Sequence, residues 1–261
     1  MTMMPLKQDL SIFEKLELAR EPIAVKYEFF KPEGFEQLDK AYSLCEMAKI
    51  AEQKDKPFYI TAENEDCAGK GCLGMMQGPT WGEAGLIGED PGMGIFQERR
   101  ANMKCIQHYK MLEYGTANYA VFSKLSQLTF EPDIMLFVAP PEKAELILRA
   151  MAYSTGEMYE SRFTPILQCS WLYSYPFITQ KVNFVMTGMS FGMRAREVYP
   201  AGLVIVSVPY NWIPTIVKNL EEMPWVLPAW TYGRDLWTKH ESAILANLHQ
   251  KTIDAGLLKK K

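Results

Sequence analysis

Two stretches of this chain lie on one another without a gap. EPDIMLFVAPPEKAELILRAM matches YPAGLVIVSVPYNWIPTIVKNL when Pro132 is set on Pro200, an offset of 68 residues. Each reads as a proline, an apolar strand, a second proline and an amphipathic helix. Pro141 and Pro209 fall at the turn after each strand, where a fixed φ and a missing N–H end a ladder. The offset is too long for a solenoid repeat and only two copies occur, so a duplicated half-domain, or two equivalent strands of one sheet, is expected. Together with the remaining elements this predicts an α+β fold, with α/β as the alternative. In either case the architecture is a mixed sheet with flanking helices containing two similar strand-turn-helix units.

Elsewhere the pattern predicts a capped helix after Asp9, with Ile12, Leu16 and Leu18 as its apolar face, and then a strand over EPIAVKYEF. A helix is expected from about Phe35 to Ala51, with Leu38, Tyr42, Cys45 and Ala48 on one face, which turns Cys45 inward. PFYITA reads as a short strand leading into an irregular glycine-rich loop over about 63–95. Nine of the 17 glycines lie between Gly69 and Gly94, and a loop of this kind in a compact domain is functional or disordered. A helix over about Glu98–Leu112 follows. RFTPILQCSWLYSY and KVNFVMTGMSFGMRAR read as strand and loop material, and a helix over about His240–Leu257 closes the chain. The whole, 1–261, reads as a single domain.

With 48% hydrophobic and 23% charged residues the chain can bury a full core. A net charge of -3 supplies no basic field for phosphates, so nucleic acid is not expected as a partner. The charged N-terminus lacks a signal-peptide pattern, and no apolar run is long enough to span a bilayer, so no membrane partner is expected and a cytoplasmic location is. In such a compartment five cysteines read as free thiols or metal ligands rather than a disulfide framework. The 16 scattered methionines read as core filler.

EPIAVKYEF, LCEMAKIAEQKDKPFYITAENEDCAGKGCLGM, PDIMLFVAPPEKAELILRAM and GMRAREVYPAGLVIVSVP, in that order, resemble the domain-of-unknown-function family 169, the uncharacterised ArCR proteins. The likeness runs from about Glu21 to Leu220. It implies a cytosolic protein of bacteria and archaea, common in anaerobes, with cysteines where Cys45 and Cys67 stand here. It implies no activity, and Cys72 and Cys105 rest on the residue argument alone.

Cys67 and Cys72 form a C-x4-C pair in a polar loop, and Cys45 and Cys105 lie on the flanking expected helices. Four thiolates of this kind, Cys45, Cys67, Cys72 and Cys105, suit an iron–sulfur cluster. Gly69, Gly71 and Gly74 could turn backbone N–H groups toward its sulfurs, and Arg194 could add a cation. A second set, Cys67, Cys72, Cys105 and His108, suits structural tetrahedral zinc, with thiol and imidazole one helical turn apart in CIQH. Against both stands the reading of Cys45 and Cys105 as small buried apolar residues. Cys169, among Ile166, Leu167, Trp171 and Leu172, reads as core.

Arg194 and Arg196 could bind a carboxylate or phosphate beside the glycine-rich loop, or make ion pairs at an exposed strand end. Trp225, Trp230, Tyr232 and Trp237 could form a pocket wall, a core lid or a subunit contact such as that of a homodimer. His240 and His249 are about two and a half turns apart and face opposite sides. No G-x-S-x-G, Walker A or H-E-x-x-H motif is present, so the sequence assigns no catalytic residue and does not say whether the protein is an enzyme. Three readings follow. The first is an iron–sulfur protein serving redox transfer or binding a small anionic metabolite; the second is a metal-free binder of a small anionic ligand; the third is a zinc-stabilised structural protein.

Overall fold

The computed structural model describes residues 3–78, 80–90 and 92–257. The chain divides into two compact units, Met1–Glu221 and Glu222–Lys261. In the first, β1 (Ile23–Glu28), β2 (Glu36–Gln37), β3 (Phe58–Ile60), β4 (Tyr119–Lys124), β5 (Ile134–Ala139), β6 (Asn183–Met186) and β7 (Val204–Pro209) form one seven-stranded mixed sheet. Its order is β2-β3-β4-β1-β5-β7-β6. β2 and β3 pair in parallel and the other neighbours pair antiparallel. The helical pieces are α1 (Leu44–Gln53), α2 (Gly69–Cys72), α3 (Thr80–Glu83), α4 (Arg99–Ile106), α5 (Pro141–Tyr153), α6 (Tyr175–Thr179), α7 (Phe191–Ala195) and α8 (Ile213–Glu222). The second unit carries a turn over Pro228–Thr231 and α9 (Gly233–Asp254), which begins seven residues before the expected His240.

The internal echo becomes the centre of the sheet. β5 leads into α5, and β7 leads through a 3-10 turn at Tyr210–Trp212 into α8. The two strands lie side by side, with Ile134 opposite Pro209 and Ala139 opposite Val204. The gapless match slips by two residues, because β7 begins at Val204 rather than at the position equivalent to Ile134. Pro141 therefore opens α5, whereas Pro209 ends its ladder, where a missing donor is tolerated. Every residue of both strands is buried, as expected of strands covered on both faces. Ile134, Leu136 and Val138 join the core cluster shared with α1. Phe137 points to the other face and meets Phe13 edge to face at 5.0 Å.

RFTPILQCSWLYSY departs most from expectation. In place of a strand it forms a π-helical turn, Ser170–Ser174, continuous with α6. Its residues are all buried, so no period-2 alternation existed to mark a strand and none of 3.6 to mark a surface helix. The widened turn needs partners for its carbonyls, and three strands supply them. Asn183 Nδ2 donates to Trp171 O at 3.0 Å, Ser207 Oγ to Leu172 O at 2.6 Å, and Tyr27 Oη to Tyr173 O at 3.1 Å. Asn183 also ties Arg162, donating to its carbonyl at 3.0 Å and accepting its N–H at 2.8 Å.

Other expected helices are shorter. α1 starts at Leu44 because Ser43 and Glu46 form a capping box. The segment after Asp9 is a 3-10 helix, Ser11–Leu16, with Asp9 accepting the Ser11 N–H at 2.9 Å. α4 ends at Ile106, so His108 lies beyond it.

Asn183→Ala removes three hydrogen bonds from a fully buried site and strips the Trp171 carbonyl of its side-chain donor. It should lower unfolding stability by about 1–3 kcal/mol in urea titration. A second expectation concerns α1, where Glu52 accepts from Arg20 at 2.7 Å and from Tyr199 Oη at 3.1 Å. Burial holds the Glu52 carboxyl above its ordinary range despite the Arg20 charge. An acid raised in the folded state contributes stability below its unfolded pKa and loses it as pH rises through the folded one. The stability of Glu52→Gln relative to the parent should therefore climb as pH is raised from about 4.5 toward neutrality, measured by denaturant midpoints.

Candidate functional site

The loop after β3 is built around one carboxylate. Glu65 is 1% exposed, and it accepts the N–H of Leu44 at 2.9 Å, of Cys67 at 3.1 Å and of Lys70 at 3.1 Å. The Leu44 amide is the first of α1, so the carboxylate also meets the positive end of that helix. Lys70 Nζ returns to the Glu65 carbonyl at 2.7 Å. A paired bridge between Tyr42 and Glu65 holds the two segments side by side. Burial raises the Glu65 pKa above the usual carboxylate range, while the three amide bonds and Lys70 oppose the rise.

This arrangement explains Gly69. A Cβ there would stand 2.5 Å from Leu44 Cβ and 2.8 Å from Glu65 Oε1, so the carboxylate occupies the space that a side chain would fill. Gly74 has φ +70, and a Cβ would meet the Glu113 carbonyl at 2.4 Å. Gly71 is buried within α2. Gly69 and Gly74 serve close packing of protein on protein.

Two of the five thiols meet beneath this loop, and two more lie at its edge. Cys72, 1% exposed, and Cys169, 5% exposed, face each other with sulfurs 3.5 Å apart. Cys45 is half-buried in the first turn of α1, and a Cβ on Gly192 of α7 would lie 3.1 Å from its sulfur. Cys67 is exposed. Cys67, Cys169 and Glu65 are near enough to Cys45 to act on its charge, and Cys169 and Glu65 likewise act on Cys67. Burial is the first cause that pushes up the Cys45 and Cys67 thiols. For Cys169 the hydrogen bond with Cys72 comes first and burial second. Arg196 works in the opposite direction on Cys45 and Cys67, and it bridges Glu46 and Asp66 at 3.2 Å each.

Cys105 lies apart from this grouping. Its thiol is buried 3.5 Å from Tyr109 Oη, which itself donates to the Ile166 carbonyl at 3.0 Å. His108 is exposed while Cys105 is buried, so CIQH does not present both to one site. The helix expected to carry both stops between them. Arg194 is exposed on α7; Arg196 is the arginine that reaches the loop. Neither arginine is at a strand end. Trp230 and Tyr232 are exposed in the second unit, and Tyr232 stacks on His240 at 5.2 Å. All five cysteines are free, and among the described residues no three Cys, His, Asp or Glu side chains stand close enough together to enclose a metal ion.

Sequence reasoning therefore missed Cys169 and Glu65. The signal for Cys169 was the set of polar residues around it, Gln168, Ser170 and Ser174, all buried in an otherwise apolar run. Each serine serves the site's frame. Ser170 Oγ bridges the Lys110 carbonyl at 2.7 Å and N–H at 3.1 Å, and Ser174 Oγ donates to the Cys72 carbonyl at 2.7 Å.

A model of the family described as uncharacterised ArCR, domain-of-unknown-function family 169, matches residues 11–219. The uncharacterised protein MJ0308 of Methanocaldococcus jannaschii is 26% identical over 230 residues, covering 85% of this chain and 94% of its own length. No solved structure matches the chain. Among the described residues no helix is long and apolar enough to cross a membrane.

Gly69→Ala should cost about 1–3 kcal/mol, as expected of overpacking against a fixed carboxylate. Gly78→Ala, where a Cβ meets nothing within 4 Å, should stay within about 0.5 kcal/mol. Thermal or urea unfolding of the two variants side by side checks the contrast.

Proposed function

The chain belongs to the uncharacterised ArCR family, and from that premise we propose that it is a thiolate metalloprotein of iron–sulfur type serving electron transfer. Its ligands are Cys45, Cys67, Cys72 and Cys169. The observation that carries the reading is the buried Cys72–Cys169 pair, whose sulfurs stand 3.5 Å apart beneath the loop that also carries Cys67. An all-sulfur donor set is soft and suits iron–sulfur centres or zinc rather than magnesium or calcium.

Electrostatics does not favour bare nucleophilic thiol chemistry. A nucleophilic cysteine is normally held at lowered pKa by nearby positive charge. Here burial, the neighbouring thiols and Glu65 push Cys45, Cys67 and Cys169 upward. Such thiols keep their protons until a metal replaces them, and metal uptake then releases protons. Cys169 takes the fourth place in this reading because Cys105 is engaged with Tyr109. The zinc set that includes His108 has no comparable support, since that imidazole is exposed. The metal-free anion pocket is also weaker, because Arg196, the arginine at the loop, is already shared by Glu46 and Asp66.

Protein purified without oxygen should contain iron and acid-labile sulfide. Cys169→Ser should lower that content about tenfold or more, while Cys105→Ser should retain it. Elemental analysis and the visible spectrum measure both. Zinc in place of iron would move the reading to a structural centre, and a metal-free chain after iron-replete expression would end it.

A further inference from the structure

We infer that Cys72 and Cys169 are a reversible disulfide pair, two thiols that a small peroxide closes into a covalent tie between the glycine-rich loop and the π-helical turn. This holds for the metal-free chain and does not rest on the thiolate reading above. It adds a redox state in which two of those donors are withdrawn.

The two sulfurs stand 3.5 Å apart although their residues are 97 positions apart in the sequence. A disulfide needs ~2.05 Å, so closure asks for about 1.5 Å of approach, of the order that rotation about the two Cα–Cβ bonds supplies. The backbone on either side is already held. The Cys72 carbonyl accepts from Ser174 Oγ at 2.7 Å and from the Leu112 N–H at 3.0 Å. Cys169 directly precedes the π-helical turn whose carbonyls are tied to β1, β6 and β7. An unfolded chain would lose loop entropy in bringing these thiols together, and the fold has met that cost in advance, which raises the effective concentration of each thiol at the other. Cys105 instead faces Tyr109 Oη at 3.5 Å.

Closure is a two-electron oxidation. One sulfur attacks hydrogen peroxide, the O–O bond breaks, and a sulfenic acid and a water result. The second sulfur then displaces the hydroxyl as another water, so two thiols and one peroxide become one disulfide and two waters. Each thiol gives up one electron to the peroxide oxygens, and both thiol protons leave in the waters. Cys72 is 1% and Cys169 5% exposed, so the pair admits a small uncharged oxidant when the four-residue α2 that ends at Cys72 opens. The hydrogen bond with Cys72 and burial hold the Cys169 thiol well above its ordinary pKa, which slows its attack. The same property makes it a poor leaving group, so the closed tie is slow to reduce. The pair is a lock that closes on the order of hours, not a fast redox catalyst. Closed, it offers no thiolate to a metal, and the centre proposed above fills only in the reduced chain.

The test uses the full chain, reduced, freed of metal with a chelator, cleared of reductant and held at low protein concentration with a few equivalents of hydrogen peroxide. The expected result is a Cys72–Cys169 peptide pair, joined with the loss of two hydrogens, in a non-reducing digest read by mass spectrometry. The thermal midpoint should rise by about 5 °C or more, because the bond closes a long loop in the unfolded chain. Dithiothreitol should reverse both, and Cys105→Ser should behave as the parent does. Recovery of Cys72 and Cys169 as alkylatable thiols after denaturation would overturn the pairing, whether or not the exposed Cys67 is modified. A cross-link from either to a different cysteine would overturn it as well. So would a closed chain with a lowered midpoint, since the native geometry would then have to distort to form the bond. Because the measurement is made on metal-free protein, its failure leaves the iron content measured separately untouched, and a chain that never binds iron leaves this result standing.

Discussion

A helical turn buried on all sides must find partners for backbone groups that water cannot reach, and the turn Ser170–Ser174 imposes that demand on the rest of the first unit. Its three middle carbonyls take side-chain donors from β6, β7 and β1. Its own side chains then reach outward. Tyr173 Oη donates to the Leu44 carbonyl at 3.2 Å, Ser174 to that of Cys72, and Ser170 closes on Lys110. The start of α1, the end of α2 and the segment after α4 are thereby located relative to one sheet. Three thiols are held by this one constraint, since Cys45 adjoins Leu44, Cys72 owns a bonded carbonyl, and Cys169 adjoins the turn.

The fourth thiol is located by Glu65, whose carboxylate does for the loop what the turn does for the core. It joins the first amide of α1 to two amides of the loop, and Gly69 leaves the room it needs. The same carboxylate raises the cost of ionising Cys45, Cys67 and Cys169. A site that gathers soft donors and then resists their ionisation is poorly suited to nucleophilic attack.

How much of this was legible in the sequence depended on whether a segment's burial left a periodic trace. The paired strands β5 and β7 were visible because continuous apolar runs between prolines have few other meanings. The polar setting of Cys67 could be read from its C-x4-C loop, where it stands exposed, while Cys72 five residues on is buried. The place of Cys169 could not be read, because an apolar neighbourhood reads as packing whether or not a second thiol waits across it. Cys105 shows the reverse error. Its place one turn from His108 assumed a helix running to Leu112, and α4 ends at Ile106 with the imidazole outside. Glu65 was read only as one acid in a polar loop, since its burial depends on contacts with Leu44, 21 positions away.

Backbone conformation gives an independent measure of how firmly the buried segment is held. Leu167 and Gln180 bracket it, and both adopt the left-handed region, with φ of 54 and 56. For residues with a Cβ that conformation costs roughly 1–2 kcal/mol each. Leu167 is partly buried against the core cluster, which offsets part of its strain. Gln180 has no such burial, but its N–H closes the helix end on the Pro176 carbonyl at 2.9 Å and its own carbonyl accepts Trp212 Nε1 at 2.9 Å. Two strained residues flanking the π-helical turn and α6 persist only where the surroundings over-determine the geometry between them. In this chain that geometry is what brings the Cys169 sulfur to within 3.5 Å of Cys72.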